Sequence, residues 1–468
     1  MKAKVSKTYL VFIAVLTAIA ATVALTSCQK GGESSSQPTT AAASAATQDE
    51  AAAATLPEGS GSAKLTESDI AVNETIENAE DGGHAIVADG ETLSYANVRV
   101  NKTGEADGDE ADFYGENAAV YAANGGTLTL KDMVVKTDGT HANAVFSYGE
   151  GTTVNIANAY IETSGNCSGG LMTTGGGTMN AENLTINTSG NSSAAIRSDR
   201  GGGTVNVTGG NYTTSGTGSP VIYSTADITV SDATMTSTAS QGVVVEGKNA
   251  VTLNNVNLTA DNNKKNSDKS SRYQAVMIYQ SMSGDAAEGV SRFAMNGGTL
   301  TNQNGDVFFI NNTATEITLN NAQITNNGNG VFLRAAAAGW GSEGSNGGQV
   351  TLNASNQIIN GDMIVDSVSH LNLYLSNNAS FTGAINSSGQ DGEVYVEIED
   401  GSIWTLTGDS YITGMTCGAN AINLNGHKLF IDGTSYTEGS ASFGDPIAVQ
   451  STGNGHGGGN PPAKPEDD

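Results

Sequence analysis

Cationic residues are scarce in this sequence of 468 residues, which has 20 Lys and Arg against 48 Asp and Glu. The resulting formal charge of −28 excludes an electrostatic nucleic-acid binder, because phosphate contacts need a basic face. Charged residues of both signs make up only 15% of the chain, whereas glycine alone contributes 60 residues. Such a composition is not that of a helix-rich charged protein.

Cysteine and histidine are also few. The three cysteines, Cys28, Cys167 and Cys417, cannot form a disulfide framework, and none has a CxxC or CxxH spacing. The five histidines form no HExxH motif, and the Gly-rich stretches contain no phosphate-binding P-loop. We therefore expect no metal site and no cofactor, and we expect Cys167 and Cys417 to be free thiols.

The first thirty residues have the pattern of a secretory signal. Three lysines precede an apolar run over 9–25, and the run ends at Leu25-Thr-Ser-Cys28. This tetrapeptide resembles the lipobox of bacterial lipoproteins, which implies that residues 1–27 are a signal peptide and that Cys28 receives a lipid. We therefore expect the protein at the outer face of a bacterial cell membrane, held there by acyl chains on Cys28.

Two further segments have compositions that cannot form a core. Residues 28–62 consist mainly of Ser, Thr, Ala, Gln and Gly, which predicts a flexible linker. Residues 440–468 end in a Gly-rich and Pro-rich stretch, which predicts a low-complexity tail. The folded domain is therefore predicted over 63–439.

The remainder of the chain is a repeat. Apolar-x-apolar triplets occur twelve times, from Leu128-Thr-Leu130 to Ile422-Asn-Leu424, and most begin 23 to 26 residues after the preceding one. A second apolar position follows most triplets by five residues, and a third apolar stretch closes most units. Periods of this length with three short strands predict an all-β parallel β-helix solenoid of about 12–14 coils.

Two other repeat architectures fit less well. A leucine-rich repeat needs its Asn at another offset, and the segments between strands have no helical period. A propeller blade needs four strands and about 40 residues, which the spacing does not supply. Asparagines after the first strand, such as Asn255 and Asn321, are instead predicted to form tight corners and to bond from coil to coil.

The coils at about 82–433 resemble right-handed parallel β-helices of the pectate-lyase-like class. Together with the lipobox and the Gly, Asn and Thr content, they resemble adhesin-like or carbohydrate-binding surface lipoproteins of anaerobic Gram-positive bacteria. The resemblance implies a right-handed helix, and a partner such as a polysaccharide or the surface of a host or neighbouring cell. It specifies no reaction, and we expect a monomer.

The longest repeat units carry insertions, which mark the expected site. One unit of 42 residues is extended by 261–273 and 281–290, and another of 33 residues by 335–347. Outward positions on the third strands here are rich in Arg, Tyr and acidic side chains, as a sugar-binding groove would be. The predicted ligand-binding residues are Arg197, Asp199, Arg200, Tyr223, Glu246, Tyr279, Arg334 and Trp340. A solvated polar face is the simpler interpretation of the same pattern.

A polysaccharide lyase of the β-helix type, acting on acidic polysaccharide, is the main functional alternative. It would need an Arg or Lys base beside clustered acidic Ca²⁺ ligands, for which only Arg197, Asp199 and Glu246 qualify. We expect no enzyme and assign no catalytic residues.

Two other patterns have simple structural interpretations. The acidic stretch from Glu105 to Asp112 lacks the EF-hand register, which favours a solvated loop over a calcium site. Ice binding is suggested only by an outward column of second-strand threonines, a feature that β-helices commonly carry for structural reasons. The column comprises Thr213, Thr236, Thr259, Thr301 and Thr325.

Overall fold

The computed structural model describes residues 64–267 and 269–449, with only the backbone of Asp109. Cys28, the signal peptide and the linker up to residue 63 lie outside the described residues. Half of the chain is β-strand and 2% is helical, and the strands form a right-handed parallel β-helix, as predicted. Among the described residues, no helix combines the length and apolar character needed to cross a membrane.

The first strands of thirteen coils stack into one continuous sheet, within the predicted range of coils. Each strand pairs in parallel with the strand of the preceding coil. They are Thr92–Ala96, Thr127–Thr137, Thr153–Thr163, Gly177–Thr188, Gly203–Thr208, Asp227–Ser231, Ala250–Asn254, Val290–Asn296, Thr313–Asn320, Gly348–Ser355, His370–Ser376, Glu393–Ile398 and Gly414–Cys417.

The second strands form the next face of each coil. In three early coils they are the C-terminal halves of the long strands Thr127–Thr137, Thr153–Thr163 and Gly177–Thr188. The others are Glu74–Asn78, Val98–Lys102, Asn211–Thr214, Thr234–Ser237, Asn257–Ala260, Thr299–Asn302, Gln323–Asn326, Ile358–Asn360, Ser380–Thr382, Ile403–Thr405 and Ile422–Asn423.

The third strands form an eleven-stranded sheet of their own. They are Ile86–Asp89, Val120–Ala123, Val145–Tyr148, Leu171–Thr174, Ile196–Ser198, Ile222–Ser224, Val243–Glu246, Gln274–Tyr279, Asp306–Asn311, Val331–Ala335 and Asp362–Val365. A small sheet of Ser410–Ile412, Leu429–Ile431 and Thr434–Ser435 lies at the C-terminal end, and the helices are a 3-10 turn at Glu67–Asp69 and an α-helix at Asp109–Tyr114.

The core fills the space between the three faces, because alternate residues of every strand point inward. Equivalent core residues stack in columns along the rod, so that Leu128, Val154 and Met179 follow one another in register. All three are fully buried. Further along, the Phe308 ring meets the Phe293 ring edge to face and the Phe332 ring at a tilt, with centroids 5.6 and 5.5 Å apart. The alternating triplets of the sequence therefore supply the core, as predicted.

Asparagine forms the corner between the first and second strands. Asn158, Asn183, Asn255 and Asn321 all have φ of 52° or 53°, a left-handed conformation that Asn tolerates better than most residues. The side-chain amide also joins neighbouring coils, since Asn183 Nδ2 donates to Asn158 Oδ1 at 2.8 Å. Both predicted roles of these asparagines are thus confirmed.

The corner between the second and third strands is a buried polar ladder. Thr188 Oγ1 donates to the Ser193 carbonyl at 2.6 Å, and Ser193 Oγ donates to the Gly165 carbonyl of the preceding coil at 3.1 Å. A Cβ on Gly190 would lie 1.7 Å from that same Gly165 oxygen, so the coils approach too closely for any side chain there. This packing explains why small residues recur at the same place in successive units.

Two sequence expectations need adjustment. Cys417 is buried and free, but Cys167 is disulfide-bonded, so the expectation that it is a free thiol is wrong. The first residues of the predicted tail also pack on the rod, because Ser442 pairs with Cys417 and the Ile447 carbonyl accepts a hydrogen bond from Asn372 Nδ2 at 2.8 Å.

Substitution at one asparagine corner measures how much the corner contributes to the free energy of unfolding. Asn183→Ala should lower the free energy of unfolding by about 1–2 kcal/mol, because Ala loses the amide bond and tolerates the left-handed backbone poorly. Asn183→Gly loses only the amide bond and should be intermediate. Urea denaturation followed by circular dichroism compares the variants, and an Ala variant as stable as the wild type would contradict the assigned role.

Candidate functional site: a covered third-strand face and an open groove

Five of the eight predicted ligand-binding residues lie on third strands and project outward from that sheet: Arg197, Tyr223, Glu246, Tyr279 and Arg334. Arg197 is the register neighbour of Tyr223, and Glu246 is the register neighbour of Tyr279. Tyr223, Tyr279 and Trp340 belong to an apolar cluster separate from the main core. They are nevertheless buried, with only 3% of Tyr223 and 7% of Trp340 exposed. The face that the sequence presents as a groove is therefore covered.

The short helix Asp109–Tyr114 covers the first part of this face. The Phe113 carbonyl accepts a hydrogen bond from Thr174 Oγ1 at 2.7 Å, and the Arg200 guanidinium lies 3.7 Å from the Phe113 ring centroid. Asp112 points down into the sheet and is almost fully buried. The prediction of a solvated acidic loop is thus wrong at Asp112, because its carboxylate has a cationic partner on the sheet.

Insertions cover the rest of the third-strand face. Asn312 lies between the two insertions: its Nδ2 donates at 2.9 Å to the carbonyl of Gln280, the residue just before 281–290, and its N–H donates at 3.0 Å to the carbonyl of Asn346 in 335–347. Both insertions thus lie against one edge of the rod, as expected. The segment 261–273 contributes to the cover, since Asn266 and Ser267 line the same small cavity as Tyr279 and Trp340.

Arg197 is the centre of a buried ion-pair network. Its Nη1 donates to Asp112 Oδ2 at 3.0 Å and its Nη2 donates to Asp199 Oδ2 at 2.9 Å. Asp112 Oδ1 also contacts His141 Nδ1 at 3.0 Å. Burial opposes the charge on Asp112, but Arg197 and His141 hold its pKa below the ordinary value. Nearby, Arg200 Nε donates to Asp285 Oδ1 at 2.6 Å.

Asp199 is the carboxyl that this network satisfies least well. Burial is the main cause that raises its pKa to about 7; Arg197 opposes the rise, and Asp285 and Asp112 add to it. A single guanidinium therefore cannot neutralise both of its carboxylate partners. Below about pH 7 the folded protein therefore favours a protonated Asp199.

Glu246 forms a second buried cluster with two tyrosines. Both the Tyr223 and Tyr279 hydroxyls donate to Glu246 Oε2, the latter at 3.0 Å, and the Trp340 ring lies 5.1 Å from that of Tyr279. Glu246 is 0% exposed, and burial raises its pKa. The cavity beside these rings measures about 40 Å³, which is room for a water molecule but not for a sugar ring.

The remaining predicted residue, Arg334, belongs to neither cluster. It forms a bidentate pair with Asp306, with nitrogen-to-oxygen distances of 2.7 and 3.2 Å.

The three residues that a lyase would need do not come together. Arg197 bonds to Asp199 but not to Glu246, and the strand Ile222–Ser224 separates them. A buried base that is already paired with two carboxylates is poorly placed to remove a proton from a polymer.

One group of possible metal ligands occurs among the described residues. The ligand atoms of Asp112, His141 and Cys167 lie within 4.8 Å of one another, and all three residues are buried. Asp112 is already bound by Arg197 and His141, and Cys167 is disulfide-bonded. The carboxylate and the sulfur of the group are thus already engaged by other partners.

An open groove, which the sequence did not predict, lies on the second-strand face near the N-terminus. We call it the N-terminal groove; its volume is about 860 Å³. The segment from Lys64 to Val72 forms one wall, and second strands form the floor. The residues that line it are Lys64, Leu65, Thr66, Glu67, Ser68, Ile70, Val72, Arg99, Tyr160, Glu162 and Asn187.

The groove combines an aromatic ring with charged groups of both signs. Tyr160 OH donates to Glu162 Oε2 at 3.3 Å, and Lys136 Nζ lies 5.9 Å from the Tyr160 ring centroid. Glu67 on the wall accepts from Arg99 and Lys136, both at 2.6 Å. These side chains are partly exposed, unlike the residues of the third-strand face.

A sequence signal for this groove does exist. Arg99, Lys136, Tyr160 and Glu162 occupy outward positions of the second strands in consecutive coils. The sequence alone does not single this signal out, because the first of these coils precedes the regular triplets and the insertions flank the third strands instead.

The sequence matches no family model and no curated protein, and the structure matches no solved structure.

The raised pKa of Asp199 predicts a pH-dependent stability. An Asp side chain has an ordinary pKa of 3.8, so between about pH 4 and pH 7 the folded protein holds a proton that unfolding releases. Its contribution to the free energy of unfolding therefore falls as the pH rises through this window. The Asp199→Asn side chain cannot ionise, so the free energy of unfolding of the variant should fall much less over the same pH range.

Urea midpoints from pH 5 to pH 8 would measure the effect. Asp391→Asn, at an exposed position outside the strands, is the matched control and should keep the wild-type slope. Equal slopes for Asp199→Asn and the wild type would contradict a proton held at Asp199.

Proposed function

We propose that this protein is a lipid-anchored, cell-surface β-helix that binds carbohydrate at the N-terminal groove. The observation that supports the proposal is the open juxtaposition of the Tyr160 ring with Arg99, Glu162 and Asn187. Sugars present apolar ring faces that stack on aromatic side chains and hydroxyls that bond to charged and amide groups. The function is the one predicted from the sequence, but the site moves from the third-strand face to the second.

The choice between the two faces depends on access. The predicted residues of the third-strand face form a layer whose polar atoms bond largely to one another, and covering segments lie over them. A ligand could reach Tyr279 and Trp340 only if the segment 261–273 moved away. The N-terminal groove needs no such movement.

A glycan array probed with the detergent-solubilised full chain would test the site. Tyr160→Ala should abolish carbohydrate binding, because it removes the stacking platform. Tyr374→Ala is the matched control, since Tyr374 is a half-buried tyrosine on the first-strand face, and it should leave binding unchanged. Binding lost in Tyr279→Ala/Trp340→Ala but kept in Tyr160→Ala would return the site to the third-strand face.

A separate activity assay would test the lyase alternative. Incubation with acidic polysaccharides should release no unsaturated sugar ends from a pure binding protein. Release that is lost in Arg197→Lys would favour the lyase and would contradict the present proposal.

The proposed membrane anchor can be tested separately at Cys28. A cysteine that carries a lipid cannot also form a disulfide, so lipidation of Cys28 and a disulfide between Cys28 and Cys167 are alternatives that the following measurement separates. We expect the mature protein from membranes to begin at Cys28 with acyl chains attached, and Cys28→Ala to leave the membrane fraction. A Cys28 peptide without lipid, released only by a reductant, would contradict the anchor.

A further inference from the structure

The second-strand face beyond the groove carries no charged side chain at its outward strand positions. We call these positions, from strand Asn211–Thr214 to strand Ile403–Thr405, the threonine face. Its outward residues are Asn211, Thr213, Thr234, Thr236, Asn257, Thr259, Thr299, Thr301, Gln323, Thr325, Ile358, Asn360, Ser380, Thr382, Ile403 and Thr405. In a chain of formal charge −28, an uncharged surface over this many coils is unusual.

Five threonines of this face form an unbroken column. Thr213, Thr236, Thr259, Thr301 and Thr325 are register neighbours in consecutive coils. Strands of successive coils lie about 4.8 Å apart, so the column presents a hydroxyl at that interval over about 19 Å. These side chains are partly or fully exposed. Among the described residues, their hydroxyls make no hydrogen bond and are available to a ligand.

The column continues the floor of the N-terminal groove. Asn187, which lines the groove, is the register neighbour of Thr213, and Glu162 is the register neighbour of Asn187. The charged and aromatic part of the second-strand face therefore passes directly into its uncharged part. A ligand longer than the groove would extend along the rod onto the threonine face.

We propose that the ligand is an extended, uncharged glycan chain, bound with one end in the N-terminal groove and its length along the threonine face. The inference rests on the proposed function of the groove. A repeating polymer matches a repeating row of hydroxyl and amide groups, each able to donate and accept.

Charge and side-chain type set this ligand apart from other polymers. An anionic polysaccharide would find no cation at the outward positions of the threonine face and would be repelled by the net charge of the protein. A protein partner normally needs buried aromatic or Arg anchors, and the threonine face offers none. A neutral glycan needs neither of these.

The chain-length dependence of binding tests the proposal. The probes are β-1,4-linked gluco-, xylo- and manno-oligosaccharides of two to six residues, with oligogalacturonates of matched length as charged counterparts. Isothermal titration on the full chain should show affinity for a neutral series rising by about tenfold or more from two to six residues, as one or two added hydrogen bonds would give.

Variants separate the groove from the threonine face. Thr236→Ala/Thr259→Ala should keep wild-type affinity for the two-residue probe and lose the gain with length. Thr229→Ala/Thr252→Ala is the matched control, because these threonines are half-buried neighbours on the first-strand face of the same two coils. Tyr160→Ala should lose binding to probes of every length.

Each contrary outcome points to a different error. Affinity that is sensitive to Tyr160→Ala but independent of length would overturn the inference and leave the proposed function intact. Tighter binding of the oligogalacturonates would overturn the neutral ligand. A dimer in sedimentation that Thr236→Ala/Thr259→Ala dissociates would make the threonine face a self-association surface instead. Absence of binding to all probes by the wild type would contradict the groove as a binding site for these glycans, and the inference with it.

Discussion

In-register parallel pairing between successive coils is the constraint on which the whole structure depends. Each coil buries its apolar side chains only by stacking on its neighbours, and backbone hydrogen bonds fix the register of that stack. Side chains at equivalent positions must then lie in columns. Any residue type that the sequence repeats becomes a continuous row, whether it is the column that contains Leu128 in the core, the asparagine corner or the outward threonines.

The structural features that recur in every coil could be predicted from the sequence. Alternation with period two indicates a strand with one buried face, and a constant offset of five residues requires a corner of constant shape. Asn255 and Asn321 could be assigned to that corner because few other residues adopt its left-handed backbone readily. Stacking then follows from the repeat itself, which explains why thirteen first strands fall within the range expected from the spacing.

The covering of the third-strand face could not be predicted, because it depends on pairings without a period. The stretch that ends at Asp112 reads as an acidic loop, yet it forms a short helix whose carboxylate meets Arg197, 85 residues further along the chain. Nothing in either segment alone signals the other. Outward direction was predicted correctly for Tyr223 and Glu246, but outward does not mean exposed where an insertion lies above the sheet.

The three faces of the rod consequently have different chemistry. On the third-strand face, buried ion pairs and a carboxyl of raised pKa lie beneath covering segments, which suits a closed structural layer because desolvated charges demand fixed partners. The second-strand face is open, and its charged end lies beside Lys64, which follows the linker. With an anchor at Cys28, that end of the rod would be the one nearest the point where the linker joins. A glycan that enters the groove there and follows the threonine face would run towards the opposite end of the rod, and every added coil would lengthen the contact without any new kind of residue.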